Sequence, residues 1–210
     1  MPESYPVQVD VDYPDRPLNR LTTALRVFTI IPIAIVLGTV SGETWTWSNG
    51  AHETRTVVIG AGGVLIAGPL LMILFRQKYP RWWFDWNLEL TRFSNRVGVY
   101  FGLMDDRYPS TDEHQAVHLD IDYPEVPSEL NRFLPLVKWF LAIPHYFVLT
   151  FLYIAAFFVL IFVWFAILFT GRYPRGAFDF LVGLGRWGNR VAGYAFLLVT
   201  DRYPPFSLQP

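Results

Sequence analysis

The apolar residues of the chain are gathered into long runs. Residues 57–75 contain no charged side chain, and residues 21–40 contain only Arg26. A helix of about 20 apolar residues covers the roughly 30 Å hydrocarbon core of a bilayer. The pattern therefore predicts transmembrane helices over residues 21–40 and 57–75.

A third apolar run, residues 134–170, is too long for one span. A single helix of that length would extend about 55 Å at ~1.5 Å per residue, well beyond what a bilayer needs. Apart from tyrosines, its ionisable residues are Lys138 and His145. We interpret it as transmembrane helices over residues 134–149 and 151–170 joined by a tight turn near Thr150, which makes four transmembrane helices in total.

The segments around these runs repeat one another in order. Val7–Pro14 recurs as Val117–Pro124, and the loop of residues 41–56 has no second copy. Further matches are Asn19-Arg20 with Asn131-Arg132, Arg26 with Lys138, Lys78–Arg81 with Arg172–Arg175, Arg92 with Arg186, Asn95-Arg96 with Asn189-Arg190, and Asp106–Pro109 with Asp201–Pro204. This self-similarity predicts two tandem repeats, residues 1–112 and 113–210.

Each repeat also carries an amphipathic helix after its apolar run. Residues 81–96 place four charged side chains on one stripe of a helix, beside a tryptophan-rich remainder: Asp85, Glu89, Arg92 and Arg96. Such helices suit the membrane interface. We predict interfacial helices over residues 81–96 and 176–190.

Apolar and polar residues alternate at the start of each repeat. Residues 7–13 and their second copy show the period of two that is typical of a strand, and residues 97–103 and 191–199 show a looser version. We therefore expect a membrane α-helical fold with a small sheet, which pairs the first and last strands of each repeat or exchanges them between repeats.

The arrangement of charge favours one orientation. The loop of residues 41–56 holds one basic residue, Arg55, whereas the other segments outside the spans hold the remaining Lys and Arg side chains. By the positive-inside rule, both termini and the segment between the repeats are predicted to be cytoplasmic.

Two arginine pairs are candidate binding residues. Arg92 with Arg96, and Arg186 with Arg190, stand about one helical turn apart, where like charges repel unless an anion joins them. A lipid phosphate or an acidic partner surface would fit. The alternative is pairing within the protein, with the recurring acids Asp85, Asp106, Asp179 and Asp201.

Apart from tyrosines, the predicted spans contain three ionisable side chains. Arg26, Lys138 and His145 are ionisable groups in apolar runs. Arg26 is close enough to the start of its span for its guanidinium to reach the lipid headgroups, whereas His145, about two turns beyond Lys138, is a functional candidate by default. For His145, a packing role with a hydrogen bond is the favoured alternative, because the first repeat has no equivalent histidine.

The sequence argues against catalysis and against cofactors. It has no cysteine, and we find no Gly-rich phosphate loop and no nucleophile elbow. A net charge of −1 does not favour nucleic acid. Asp10, Asp12, Asp120 and Asp122 are weak candidates for a hard cation, but alternating carboxylates are typical of a solvated strand face, and we predict no metal site.

Several motifs together resemble domain-of-unknown-function family 4389 of bacterial membrane proteins. They are residues 9–14 (Val-Asp-Val-Asp-Tyr-Pro), Trp139–His145, Trp164–Gly176 and Asp201–Leu208. The first repeat departs from the pattern, with Gln77-Lys78 in place of Gly-Arg and Ile33 in place of the histidine. The resemblance implies a multi-pass protein of the bacterial cytoplasmic membrane and supplies no catalytic residue.

We therefore expect a non-enzymatic structural or accessory membrane protein. It would contact membrane lipids and act as a homo-oligomer or as a subunit of a larger membrane complex. Two alternatives stay open, namely an oligomeric channel or small-solute transporter, and a protein that binds anionic lipid at the arginine pairs.

Overall fold

The structure is a computed structural model that describes residues 5–41 and 61–210, and only the backbone of residues 61–66. Its elements are β1 (Val7–Val11), α1 (Arg20–Ser41), α2 (Ala61–Arg76), α3 (Arg81–Phe101), β2 (Val117–Ile121), α4 (Val126–Glu129), α5 (Pro135–Leu141), α6 (Ile143–Thr170) and α7 (Arg175–Ala195). The protein is thus mainly helical with one small sheet.

The two strands predicted at the start of each repeat are confirmed, and they pair with each other. β1 and β2 are antiparallel, with Val9 opposite Leu119 at the centre of the register. Their apolar side chains point to one face, which packs on the long helices, while the alternate polar side chains are exposed. β1 packs on α7 and β2 packs on α3, so each strand lies on a helix from the other half of the chain.

The strands predicted over residues 97–103 and 191–199 are wrong, because α3 continues to Phe101 and α7 continues to Ala195. Val97 and Tyr100 stand three residues apart, which places both on one side of a helix, and both are buried. The chain turns after each helix at Leu103 (φ 62°) and Leu198 (φ 59°), in a left-handed conformation that is uncommon for leucine. Both leucine side chains are buried, so packing holds these two turns.

The predicted turn near Thr150 is also wrong. α6 runs unbroken from Ile143 to Thr170, about 42 Å at ~1.5 Å per residue. No glycine, proline or charged residue lies between Tyr146 and Thr170 to favour a turn. The Thr150 hydroxyl donates to the carbonyl of Tyr146 within the same helix, 2.7 Å away. The break in the apolar run lies earlier, between α5 and α6.

Two of the described helices, α1 and α6, are long and apolar enough to cross a membrane, which is fewer than the four predicted. Only 22% of the most apolar window of α1 and 17% of that of α6 is buried, which is low for a core helix of a soluble protein. The described apolar part of α2 is shorter, and residues 57–60 of that predicted span lie outside the described residues.

α6 lies lengthwise and antiparallel along α7. Near its start, His145 contacts Trp187, and near its end Ile167 belongs to the same apolar cluster as Phe178. The end of α6 also meets the start of α1, where the amide of Leu18 donates to the Gly171 carbonyl at 2.9 Å. Both ends of α6 therefore touch the part of the protein that carries the sheet.

Candidate functional site

Arg26 lies in α1 and is buried against the segment that follows α3. Its guanidinium donates to the carbonyl of Tyr100 (3.0 Å), to the carbonyl of Asp105 (2.6 Å) and to the carboxylate of Asp106 (2.9 Å). It also lies 4.0 Å from the centre of the Tyr100 ring. The charge that the sequence places inside a span is therefore neutralised within the protein.

Lys138 has an equivalent environment in α5. Its side chain is fully buried, its Nζ lies 2.7 Å from Asp201 Oδ1, and it donates to the carbonyl of Thr200 at 2.8 Å. The Tyr194 ring is 5.3 Å away. Additional hydrogen bonds stabilise a buried ion pair, and both cations here also donate to backbone carbonyls.

His145 lies fully buried in the first turn of α6. Its Nδ1 accepts a hydrogen bond from the Trp187 indole at 3.0 Å, so a neutral ring carries its proton on Nε2. Phe206 stacks on the imidazole with ring centres 3.9 Å apart. The Nε2 atom is buried and has no hydrogen-bond partner among the described residues. These contacts fit a packing histidine, which was the favoured alternative.

Arg92 and Arg186 cover the outer edges of the sheet. The Nε of Arg92 donates to the Leu119 carbonyl, and the Nε of Arg186 donates to the Val9 carbonyl, each at 3.0 Å. Val9 and Leu119 are the central pair of the register. Their outward carbonyls would otherwise be left unpaired at the two edges. The arginines therefore complete the sheet from the helices below it.

Arg96 and Arg190 bind the segments that lie at the end of each half of the chain. Arg96 donates to the carbonyls of Ser110 (3.0 Å) and Thr111 (2.9 Å), and Arg190 donates to that of Gln209 (2.8 Å). Burial, and secondarily the charge of Arg186, lower the pKa of Arg190. All four candidate arginines are therefore engaged by backbone carbonyls.

The acids expected to neutralise these arginines have other partners. Asp106 and Asp201 pair with the buried cations described above, and Asp85 pairs with Arg81 at 3.3 Å. The expected pairing with these three acids is therefore wrong. Instead, Asp10 pairs with Arg186 at 2.6 Å and Asp120 pairs with Arg92 at 3.3 Å.

The four strand aspartates do not converge on one point. Asp12 contacts His118 at 3.1 Å, at the end of the sheet opposite to Asp122, whose amide bonds to Pro6. Within residues 5–41 and 61–210, no group of three or more His, Asp or Glu side chains could hold a metal ion.

Three further contacts were missed by the sequence reasoning. Asn95 and Asn189 exchange two amide hydrogen bonds, at 2.9 and 2.8 Å, between α3 and α7. Tyr79 and Tyr173 each donate to a carbonyl in the other half of the chain, Leu197 and Gly102 respectively. The recurring Asn-Arg and Tyr-Pro pairs were the available signal, since all four residues belong to them.

Comparison with known protein families gives a match to the second half of the chain. The model of a family described as "Domain of unknown function (DUF4389)" matches residues 135–207. This segment spans α5, α6 and α7, and it includes Lys138, His145, Arg186 and Arg190. The match supports the family for this single stretch of the second half of the chain. No curated protein and no solved structure matches the chain.

Proposed function

We propose that this chain is a non-enzymatic protein of the bacterial cytoplasmic membrane that serves as a structural or accessory subunit. It assembles with itself or with a larger membrane complex. The observation that carries the membrane part of this proposal is the outer face of α6. Seven large apolar side chains on it are about half exposed or more: Phe147, Phe151, Ile154, Phe158, Phe162, Phe165 and Phe169.

These side chains lie on the side of α6 away from the protein. Their spacing of three and four residues keeps them on one helical stripe, while Leu149, Ala156 and Val163 line the buried stripe. Contiguous apolar surface on this scale marks a membrane or protein interaction site. We assign it to lipid.

The geometry suggests how the protein sits in the membrane. The polar face of the sheet belongs in water, and α7 lies between the sheet and α6. We therefore infer that α6 lies along one leaflet, because both of its ends contact the helices that carry the sheet. We assign the membrane-spanning role to α1 and α2. In this arrangement both termini are cytoplasmic.

Matched contacts in the two halves support an origin by tandem duplication. Arg26–Asp106 corresponds to Lys138–Asp201, and the bond from Arg92 to Leu119 corresponds to that from Arg186 to Val9. We propose two copies that exchange their first strands, so that neither half completes its own packing. A molecule built this way is suited to a structural role.

The alternatives have less support. A channel or transporter needs polar groups that are accessible along a path. Arg26 and Lys138 instead bind carboxylates of the protein, and His145 is buried against Trp187 and Phe206. Binding of anionic lipid at the arginine pairs is disfavoured because backbone carbonyls already engage those side chains.

The test is to extract a tagged copy from its native membrane in mild detergent and to measure the mass and composition of the particle. Stoichiometric foreign subunits, or a discrete homo-oligomer, would support the proposal. A stable monomer that crosslinks to no protein in its membrane would contradict it. Solute flux into proteoliposomes that disappears in a Lys138→Met variant would favour the transporter instead.

A further inference from the structure

A crevice of about 440 Å³ lies between α3, α6 and α7. Its lining is mainly apolar and includes Val99, Met104, Ala156 and Leu181. The volume falls within the ~300–1,000 Å³ range of small-molecule sites. The crevice is separate from the arginines and the buried ion pairs described above.

Two glycines leave part of this crevice open. A Cβ placed on Gly98 or on Gly185 would meet no atom of the described residues within 4 Å. At Gly183 and Gly193 on α7, by contrast, a Cβ would lie 2.8 and 2.6 Å from a neighbouring atom. The glycines at 183 and 193 therefore permit close packing, whereas those at 98 and 185 border space that the protein does not fill.

Water is a poor occupant of this space. At ~30 Å³ per molecule the crevice would hold roughly fifteen waters, each of which needs several polar partners. Asn95, an amide in the lining, is already bonded to Asn189 and to the Thr91 carbonyl. The apolar walls therefore favour an apolar occupant.

The mouth of the crevice lies beside the surface assigned to lipid. Phe101, Tyr153 and Phe157 line the crevice and are also 52%, 53% and 61% exposed. Tyr153 and Phe157 belong to α6, so a molecule in the surrounding leaflet could enter without crossing water. The crevice is continuous with the apolar outer surface.

The size of the crevice excludes a partner helix as occupant. A helix about 10 Å across with a pitch of ~5.4 Å fills roughly 420 Å³ in a single turn. The crevice would therefore accommodate about one turn, which is too little to hold a helix. A linear hydrocarbon chain is much thinner and follows a groove between helices.

We propose that this crevice binds one acyl chain of a membrane lipid. The proposal rests on the membrane placement given above, because the lipid enters from the leaflet that surrounds α6. Bound lipid would fill the space between α3 and α7 beneath the sheet. It would thereby couple the two halves of the fold to the bilayer.

The test uses the full chain in vesicles of bacterial phospholipid that contain a phospholipid with a photoactivatable diazirine in one acyl chain. After irradiation, adducts are mapped by mass spectrometry. We expect adducts near Val99 on α3 and Leu181 on α7, in addition to those near the outward Phe158.

Filling the crevice should remove the first group of adducts only. Gly98→Leu and Gly185→Leu should reduce labelling at Val99 and Leu181 severalfold and leave labelling at Phe158 unchanged. The matched control is Gly176→Leu, because Gly176 is also on α7, also has no atom within 4 Å of a Cβ, and lies outside the crevice. Elution of each variant as the same particle as the wild type shows that it is folded.

The possible outcomes distinguish a failure of the proposed lipid site from a failure of the proposed membrane placement. In the wild type, labelling at Phe158 without labelling at Val99 and Leu181 would overturn the proposed site alone. Crevice labelling in the filled variants that equals that of the wild type would overturn it too. A crosslink from the crevice to another protein would also overturn it. If Phe158 is unlabelled and an alkaline wash releases the protein from its membrane, the proposed membrane placement fails together with the site.

Discussion

Each buried cation of the described apolar helices has a carboxylate partner on a different element. Arg26 on α1 meets Asp106 after α3, and Lys138 on α5 meets Asp201 after α7. A side chain in this position cannot reach water, so its partner must be supplied by the fold. These two contacts join the apolar helices to the part of the protein that carries the sheet.

Removing one member of such a pair leaves an uncompensated buried charge. We expect Asp106→Ala to lower the free energy of unfolding by about 3–5 kcal/mol, the usual loss when a buried pair is broken from one side. The measurement is the unfolding midpoint in detergent. The exposed pair of Arg81 with Asp85 provides the control, and Asp85→Ala should cost no more than about 0.5 kcal/mol. Equal losses in the two variants would contradict the assigned role of Asp106.

Tyr79 gives a prediction about alkaline stability. Burial raises its pKa to about 12 from the ordinary value of 10, an effect that the bond from Asn87 partly opposes. The folded protein therefore holds this proton more tightly than the unfolded chain does. The resulting stability, about 3 kcal/mol for a shift of two pKa units, is fully present below pH 10 and is lost as the pH rises towards 12.

The measurement is the unfolding midpoint between pH 9 and pH 12, on either side of the two pKa values. Tyr79→Phe should flatten this dependence in part, because Tyr5 and Tyr173, whose pKa values burial also raises, remain in the variant. Tyr108→Phe, at an exposed position, is the matched control. An unchanged slope in Tyr79→Phe would show that this hydroxyl does not titrate in the folded protein.

Among the elements, the starts were easier to predict than the ends. The strands at residues 7–11 and 117–121 and the starts of α3 and α7 match the sequence pattern. The ends of α3 and α7 do not match it, because the apolar pattern of residues 97–101 and 191–195 is compatible with either a strand or a helix. Tertiary packing decides between the two, and here Val97 and Tyr100 pack on the side of α3 that faces α1.

The continuity of α6 can be measured directly, because the chain contains no cysteine that would compete for labels. Ile143 and Phe157 are exposed and lie symmetrically about Thr150. In one continuous helix they are separated by about 21 Å, whereas in a hairpin that turns at Thr150 they would lie roughly 10 Å apart. Spin labels at Ile143→Cys and Phe157→Cys should give the longer distance by pulsed electron resonance. The shorter distance would instead support the predicted hairpin.

Arg186 gives a prediction for the sheet. It donates to the Val9 carbonyl and pairs with Asp10, so it holds β1 on α7. Arg186→Ala should cost about 1.5–3 kcal/mol, as expected for hydrogen bonds made by a charged group. Amide exchange in residues 5–13 should become faster. Lys78→Ala, at an exposed position, should leave exchange there unchanged, and slow exchange in both variants would mean that the sheet edge does not need the arginine.

At the scale of the whole molecule, the least conventional part of the proposal is the placement of α6 along one leaflet. Length and composition alone suit a crossing helix, but α6 lies along α7, and its ends meet Trp187 and the Leu18–Gly171 contact. A helix that crosses the bilayer would carry α7, with its polar side chains, across with it. The desolvation of those side chains would be unfavourable.

Depth measurements in vesicles test whether α6 lies along one leaflet. Labels at Phe147, Phe158 and Phe169, all on the outer stripe, should be quenched by lipid-bound quenchers at similar depths. A crossing helix would place the first and last about 33 Å apart. A label at the exposed Asp120 should remain in water. Widely different depths for Phe147 and Phe169 would show that α6 crosses.

By itself, the sequence determined where β1, β2, α3 and α7 begin, because hydrophobic period and length are local properties. It also singled out Arg26, Lys138 and the four helix arginines, because charge in an apolar run and matched recurrence can be read along the chain. It could not decide that β1 pairs with β2, that Arg186 binds Val9, or that α6 continues past Thr150. Val9 and Leu119 lie in different halves of the chain, and their pairing depends on which helices bring the two strands together. That choice is made by the packing of the whole molecule, which no local pattern contains.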